Sequence, residues 1–368
     1  MTFTTDTLIA YTNSVFDGQE IVVSNCTVTV DGTHGFLNVR VLSGGVLTHT
    51  ATTNAVVGTN GGVVVNAGLY LTVTNNVEVE AGGAIDASGR GYGAGLGPGA
   101  GASQMTNYPY SYYAGSGGGH AGYGGASSTQ APGGTGYDVL DLPQEAGSGG
   151  GAGSGSGGDG GGVVNLTAGG VVRVDGRVSA DAAAGFNPHS GGGSGGSIWL
   201  KAQTISGAGV ISAKGGAGEL NDGGGGGGGG KIAIQWLASG TNAFTGTLGA
   251  QGGAGAMAGG AGSIITLRVS ASSEARLLVD NGGQSGAKTW LFLHGTYDVT
   301  ISGGAVAEPP GSGGAYINRL FVRSNGWFTW SSTGTVSVLV RSDAIVDAGG
   351  GIISDGRGYG LDPVYELA

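Results

Sequence analysis

The chain has 368 residues, of which 87 are Gly, with 39% hydrophobic and 10% charged residues and a formal net charge of −10. That much glycine excludes an ordinary helical protein, because each Gly inside a helix costs about 1 kcal/mol relative to Ala, while 8 Pro and no third-residue glycine period exclude collagen. The acidic balance argues against nucleic acid or an anionic membrane as partner, and the apolar content is too high for a simple disordered Gly/Ser chain.

From the N-terminus onward, apolar residues alternate at period two in short runs bounded by Gly, Asn and Asp, which predicts strands. Cys26 lies in one such run and is expected to be a buried strand thiol; as the single cysteine it supports neither an intrachain disulfide nor a cysteine-based zinc site. The first residues lack the Lys/Arg start of a signal peptide, and no run approaches the ~18 apolar residues of a membrane span. Residues 39–47, 77–85 and 165–172 share one pattern, an alternating pair, a small-residue corner and a second alternating pair. A single unit of this kind cannot bury its apolar side, but stacked units can, so the pattern predicts a solenoid.

A long excursion follows, from about residue 89 to residue 162, and it concentrates aromatic and polar side chains: Tyr108, Tyr110, Tyr112, Tyr113, His120, Tyr123, Asp138 and Asp141. Tyrosine provides contact area at little entropic cost, and carboxylates beside it suit carbohydrate or protein recognition. These residues form the candidate binding site; the alternative is that they cap the solenoid or pack on the glycine segments. Between 163 and 268, strand starts at Val163, Ile198, Ile232 and Ile264 recur at spacings of 35, 34 and 32, each preceded by a glycine-rich tract. Each coil then ends on a small strand, as at Val178, Ile211 and Leu248, and re-enters glycine. This predicts coils of a parallel β-solenoid with glycine-rich segments leaving one corner at every rung. Polyglycine adopts an extended threefold helix of about 3.1 Å rise per residue whose backbone groups can pair with adjacent chains, so residues 223–230 and their neighbours are expected to pack as a bundle of polyglycine II helices rather than float as loops.

Residues 80–93 align without gaps to 347–360 at an offset of 267, and 39–49 match 320–330 at an offset of 281, with Ser43 on Ser324 and Gly45 on Gly326. The expected organisation is a β-solenoid module over 1–93, a glycine-rich solenoid module with the tyrosine excursion over 94–270, and a second β-solenoid module over 271–368. That last module stops where another glycine-rich one would begin, which suggests a piece of a longer array. Residues 193–200, 211–218 and 228–234 resemble the glycine-rich repeats of very large secreted bacterial surface proteins, and 17–23 with 45–49 resemble their β-solenoid stretches. The resemblance implies an extracellular, adhesive or structural role. A looser similarity in composition links the chain to the polyglycine-helix domains of the anaplastic lymphoma kinase and leukocyte tyrosine kinase receptors and to phage tail-fibre tip adhesins.

Catalytic chemistry has thin support. Carboxylates occur mostly one per coil; Glu78 and Glu80 share a strand face with Asp86 beyond the corner, and Arg173 lies near Asp175. Polysaccharide lyases and hydrolases on this scaffold need two or three carboxylates together, with Arg or Lys as base in a lyase. Residues 154–162 fail the calcium nonapeptide because the apolar position is Gly161, and no Gly-Lys-Ser/Thr follows any glycine run. The expectation is therefore an all-β parallel β-helix (solenoid) with glycine-rich excursions, needing no cofactor or metal. It would serve as a non-catalytic structural or adhesive surface protein that self-associates, contacts neighbouring surface proteins or binds a carbohydrate. A carbohydrate-active solenoid enzyme and a phage-type receptor-binding adhesin are the alternatives.

Overall fold

The computed structural model describes residues 1–52, 68–106, 111–219, 223–270, 274–293, 295–309, 314–330 and 337–354. Tyr108 and Tyr110 lie outside the described residues, as do residues 355–360 of the duplicated 347–360 segment. The described chain is all-β apart from a 3-10 turn at Ser14–Phe16. Two seven-stranded sheets and an eleven-stranded sheet dominate it, and between residues 20 and 269 the chain visits them in the same order at each rung. One rung is Asn38–Val41 in the first sheet, Val46–Thr48 in the second and Leu69–Val73 in the third; a later one is Thr204–Gly207, Val210–Ser212 and Lys231–Leu237. Neighbouring strands within the first two sheets are parallel and in register. This architecture is β-helix-like.

Identical apolar positions stack in columns along the rungs. In the third sheet Val164, Ile198, Ile232 and Ile264 are partners in successive strands, and in the second Val178, Ile211 and Leu248 are. Many of the strands bury alternate side chains inward, as Thr27–Val30 and Asn38–Val41 do, and one core runs from Phe3 to Ile264; each buried Val or Ile contributes about 1.5–3 kcal/mol. Corners repeat as well. Gly44 and Gly82 occupy equivalent turns of adjacent rungs at φ +74° and +83°, and Gly349 does so in the later module at φ +82°, where a Cβ would be strained.

Between the second and third sheets, the rungs release residues 87–162, 180–196, 213–230 and 250–262. These tracts are joined through their backbones, with residues 225–230 at the centre. Gly225 and Gly228 donate to Gly115 and Gly118, Gly226 and Gly229 to Met257 and Gly260, and Gly227 and Gly230 to Gly216 and Ala213, all at 2.8–2.9 Å. The same segment accepts hydrogen bonds from three further stretches. Gly192 and Gly195 donate to the carbonyls of Gly225 and Gly228, Gly125 and Gly122 to those of Gly226 and Gly229, and Ala256 and Gly253 to those of Gly224 and Gly227. Partners rotate every third residue, so the octaglycine sits among six chain segments. Backbones approach this closely only without side chains: a Cβ on Gly227 would collide with the Gly193 carbonyl, and one on Gly229 with that of Ala250.

The third sheet continues past residue 270 with its direction reversed. Ser263–Val269 and Glu274–Asp280 pair antiparallel, Ile264 opposite Leu278 and Ile265 opposite Leu277. Ile264 and Leu278 face the first core, whereas Ile265 and Leu277 belong to a second core on the other side of the sheet that includes Tyr297, Val299, Ile317, Leu320 and Phe328. Parallel pairing then resumes through Tyr297–Ser302 and Gly314–Val322, with a four-stranded sheet alongside. Because strand direction and core side reverse together, the sense of winding is the same before and after the turn.

Candidate functional site

The excursion over 87–162 brings some of the expected site residues together and separates others. Ser103–Thr106 and Tyr112–Gly115 form an antiparallel hairpin in which Tyr113 stands opposite Met105; both side chains are exposed. The Tyr112 ring stacks on His189 with centroids 4.2 Å apart. Tyr123 lies elsewhere, against the second module, with Lys288 Nζ 4.9 Å above its ring and its amide donating to the Lys288 carbonyl. Lys288 in turn pairs with Glu308 at 2.7 Å.

His120 and Asp138 meet in the interior. The His120 imidazole is fully buried; Nδ1 donates to the Gly195 carbonyl at 2.8 Å and Nε2 faces Asp138 Oδ2 at 3.5 Å. Asp138, at φ +68°, ties its own loop by accepting the amides of Val139, Gln144 and Glu145. Burial pushes its carboxyl up, but His120, Lys231 and the Glu145 amide outweigh that and hold it below the usual value. Tyr137 packs on His120 at 4.7 Å, donates to the Ala146 carbonyl at 2.5 Å and pairs with Ser148; burial raises its phenol well above its ordinary range.

Lys231 completes this cluster. It starts the strand that leaves the octaglycine, and burial lowers its ammonium to about 8 against the opposing attraction of Asp138. The loop at 138–145 covers the outer face of the third sheet: Ser197 Oγ donates to the Glu145 carbonyl and Gln235 Nε2 to that of Asp141, each at 2.6–2.7 Å. Leu140, from the same loop, sits in the second core. The first five residues of strand Lys231–Leu237 are thus buried on both faces, which explains why the apolar run there reads as nearly continuous. His120 and the loop that carries Asp138, Leu140 and Asp141 therefore bind together the glycine segments, the third sheet and the second core. Lys231 is the member that sequence reasoning passed over; a lone cation between eight glycines and an apolar run was its signal.

A second anchor is His49. Its Nδ1 donates to the Thr50 carbonyl at 2.8 Å and its Nε2 accepts the amide of Val163 at 3.2 Å, pinning the return of the long excursion; burial lowers its pKa to about 4.

The carboxylates weighed for catalysis sit apart from this cluster. Arg40, Glu78 and Arg173 are cross-strand partners on the outside of the first sheet, beside a groove of about 400 Å³ lined also by Glu80 and Asp175. Arg40 takes both Glu78 and Glu80, at 3.3 and 3.0 Å, and Arg173 takes Asp175 at 2.6 Å. Asp86 lies around the corner in the second sheet with Arg177, Ser179 and the Ser88 amide. Burial pushes its carboxyl up, but those partners outweigh it and hold it low. Among the described residues, no group of three or more His, Cys, Asp or Glu is placed to hold a metal ion, and no helix is long and apolar enough to cross a membrane. Comparison with known protein families, curated proteins and solved structures finds no match to the chain.

Proposed function

We propose that the chain is a non-catalytic structural or adhesive segment of an extracellular surface or matrix protein, in which closed solenoid coils and a polyglycine II bundle act as two fused load-bearing materials. The observation carrying this reading is the octaglycine, whose amides and carbonyls pass in rotation to six surrounding segments. Such a lattice spends a large part of the chain on rigidity. The buried polar cluster supports the same reading, since the side chains of Lys231, Asp138 and His120 face inward, away from any substrate in solvent. Among the described residues, the strands at the ends of the sheets pair on one side only and supply edges for end-to-end association, and the exposed hairpin with Tyr113 and Met105 supplies a lateral contact.

Electron microscopy and analytical ultracentrifugation of the purified chain test this. Rods or filaments that lengthen with concentration are expected; a compact, concentration-independent monomer would remove the assembling role. The acidic groove beside Glu78 and Glu80 keeps a carbohydrate-active enzyme as the second reading. Turnover of acidic or neutral polysaccharides, with or without calcium, that disappears in Glu78→Gln, Glu80→Gln and Asp86→Asn would replace the structural proposal with that one.

A further inference from the structure

The second module carries a groove that neither core nor glycine segments use. Arg276, Asp298 and Arg319 are direct partners across three adjacent strands. They lie on the sheet face that covers the first core where Leu278 touches it, and beyond that point no described residue covers the face. With strands about 4.8 Å apart, Arg276 and Arg319 present guanidiniums from backbones roughly 10 Å apart, and Arg341 follows on the next rung. The three arginines line a cleft of about 430 Å³. Thr296 and Arg341 also line an adjoining cleft of about 250 Å³, which contains Tyr316, a side chain 55% exposed.

This concentration of positive charge is unusual in a chain with 14 Lys and Arg against 24 Asp and Glu. Arg40, Arg173, Arg177 and Arg323 each hold a carboxylate, but Arg276 and Arg341 have none in ion-pair range among the described residues. Among the described residues the carboxylate that Arg319 meets is Asp343, at 3.5 Å with both side chains about half exposed, a pair worth little and easily exchanged for a ligand. Asp298 is held by Asn318 Nδ2 at 2.6 Å, leaving carboxylate lone pairs to accept hydroxyl protons.

We propose that this groove binds an acidic polysaccharide, with arginine forks taking its carboxylate or sulfate groups and the Tyr316 ring lying against a sugar face. Planar guanidinium suits both anions through paired hydrogen bonds, and an exposed aromatic face beside hydroxyl acceptors suits a pyranose. The regular rung spacing presents these charges on the scale of a disaccharide. The site does not depend on the glycine lattice, so either can fail alone.

Affinity electrophoresis and calorimetry of the whole chain with polygalacturonate, dextran sulfate, neutral dextran and a single-stranded oligodeoxynucleotide test it. Retention by polygalacturonate or dextran sulfate, weakening with salt, is expected, and whichever polymer binds identifies the anion. Arg276→Gln combined with Arg341→Gln should weaken that binding at least tenfold, Tyr316→Ala several-fold and Arg341→Lys by an intermediate amount, all with unchanged melting temperature and unchanged amide protection over residues 225–230. Absence of retention by both acidic polymers, undiminished binding by the double variant, or equal retention by the oligonucleotide would overturn the assignment.

Discussion

Replacing Gly227 by Ala separates a packed glycine lattice from a flexible loop. Ordinarily Gly→Ala stabilises by about 0.4–1 kcal/mol where the backbone conformation is compatible, because the unfolded chain loses freedom. At Gly227 the added methyl would run into the Gly193 carbonyl, and inserting one methyl group into a close-packed interior costs about 1–3 kcal/mol. Displacing the strand also endangers two buried hydrogen bonds, Gly227 to Gly216 at 2.9 Å and Gly253 to Gly227 at 2.8 Å, and each buried group left unpaired costs about 1–3 kcal/mol. A net loss of about 2–5 kcal/mol is therefore expected, a large share of the ~5–15 kcal/mol that holds a typical domain. Gly35 is the control, an exposed strand position where the nearest atom to an added Cβ is the Thr72 carbonyl oxygen at 3.9 Å. Guanidinium unfolding should show Gly35→Ala within about 0.5 kcal/mol of the parent and Gly227→Ala far below both. Equal midpoints for the two variants would refute the reasoning.

Three further outcomes follow from the buried side chains. His49 has its pKa lowered from 6.5 to about 4, so between those values the unfolded state binds more protons and stability falls as pH drops, by about 3 kcal/mol across the window; urea midpoints from pH 7 to pH 4 should show this in the parent and lose it in His49→Gln. Lys231 is lowered from 10.5 to about 8, so the unfolded state again holds the proton longer and the parent should gain about 3 kcal/mol between pH 8 and 10.5 relative to Lys231→Met; a constant difference between the two would contradict the burial. Ile198, fully buried in the column between Val164 and Ile232, should cost about 2–5 kcal/mol as Ala by thermal or chemical unfolding.

The rungs up to residue 269 are legible because they repeat one alternating pattern around a small-residue corner. The expected starts at Val163, Ile198, Ile232 and Ile264 fall at or one residue inside the observed strands. Partner choice among the glycine segments is a different matter, since a residue without a side chain carries no information about which backbone it meets. The reversal after residue 270 was equally hidden. Ile264 and Ile265, like Leu277 and Leu278, are apolar toward both faces, so no alternation betrays which neighbour is antiparallel. His120 and Asp138 were two of the eight expected binding residues, but the contact between them depends on a loop fold that composition does not encode. Arg276, Asp298, Arg319 and Arg341 did leave a trace, spacings of 22, 21 and 22 residues that match one rung of the second module.

Hydrogen–deuterium exchange resolved to single amides over residues 225–230 tests the structural account most directly. Every one of those amides is buried and donates to another segment of the bundle, so they should exchange as slowly as the core strand Ser197–Ala202 and be released only with global unfolding. Fast exchange throughout the six amides, at the rate of an open glycine linker, would contradict it.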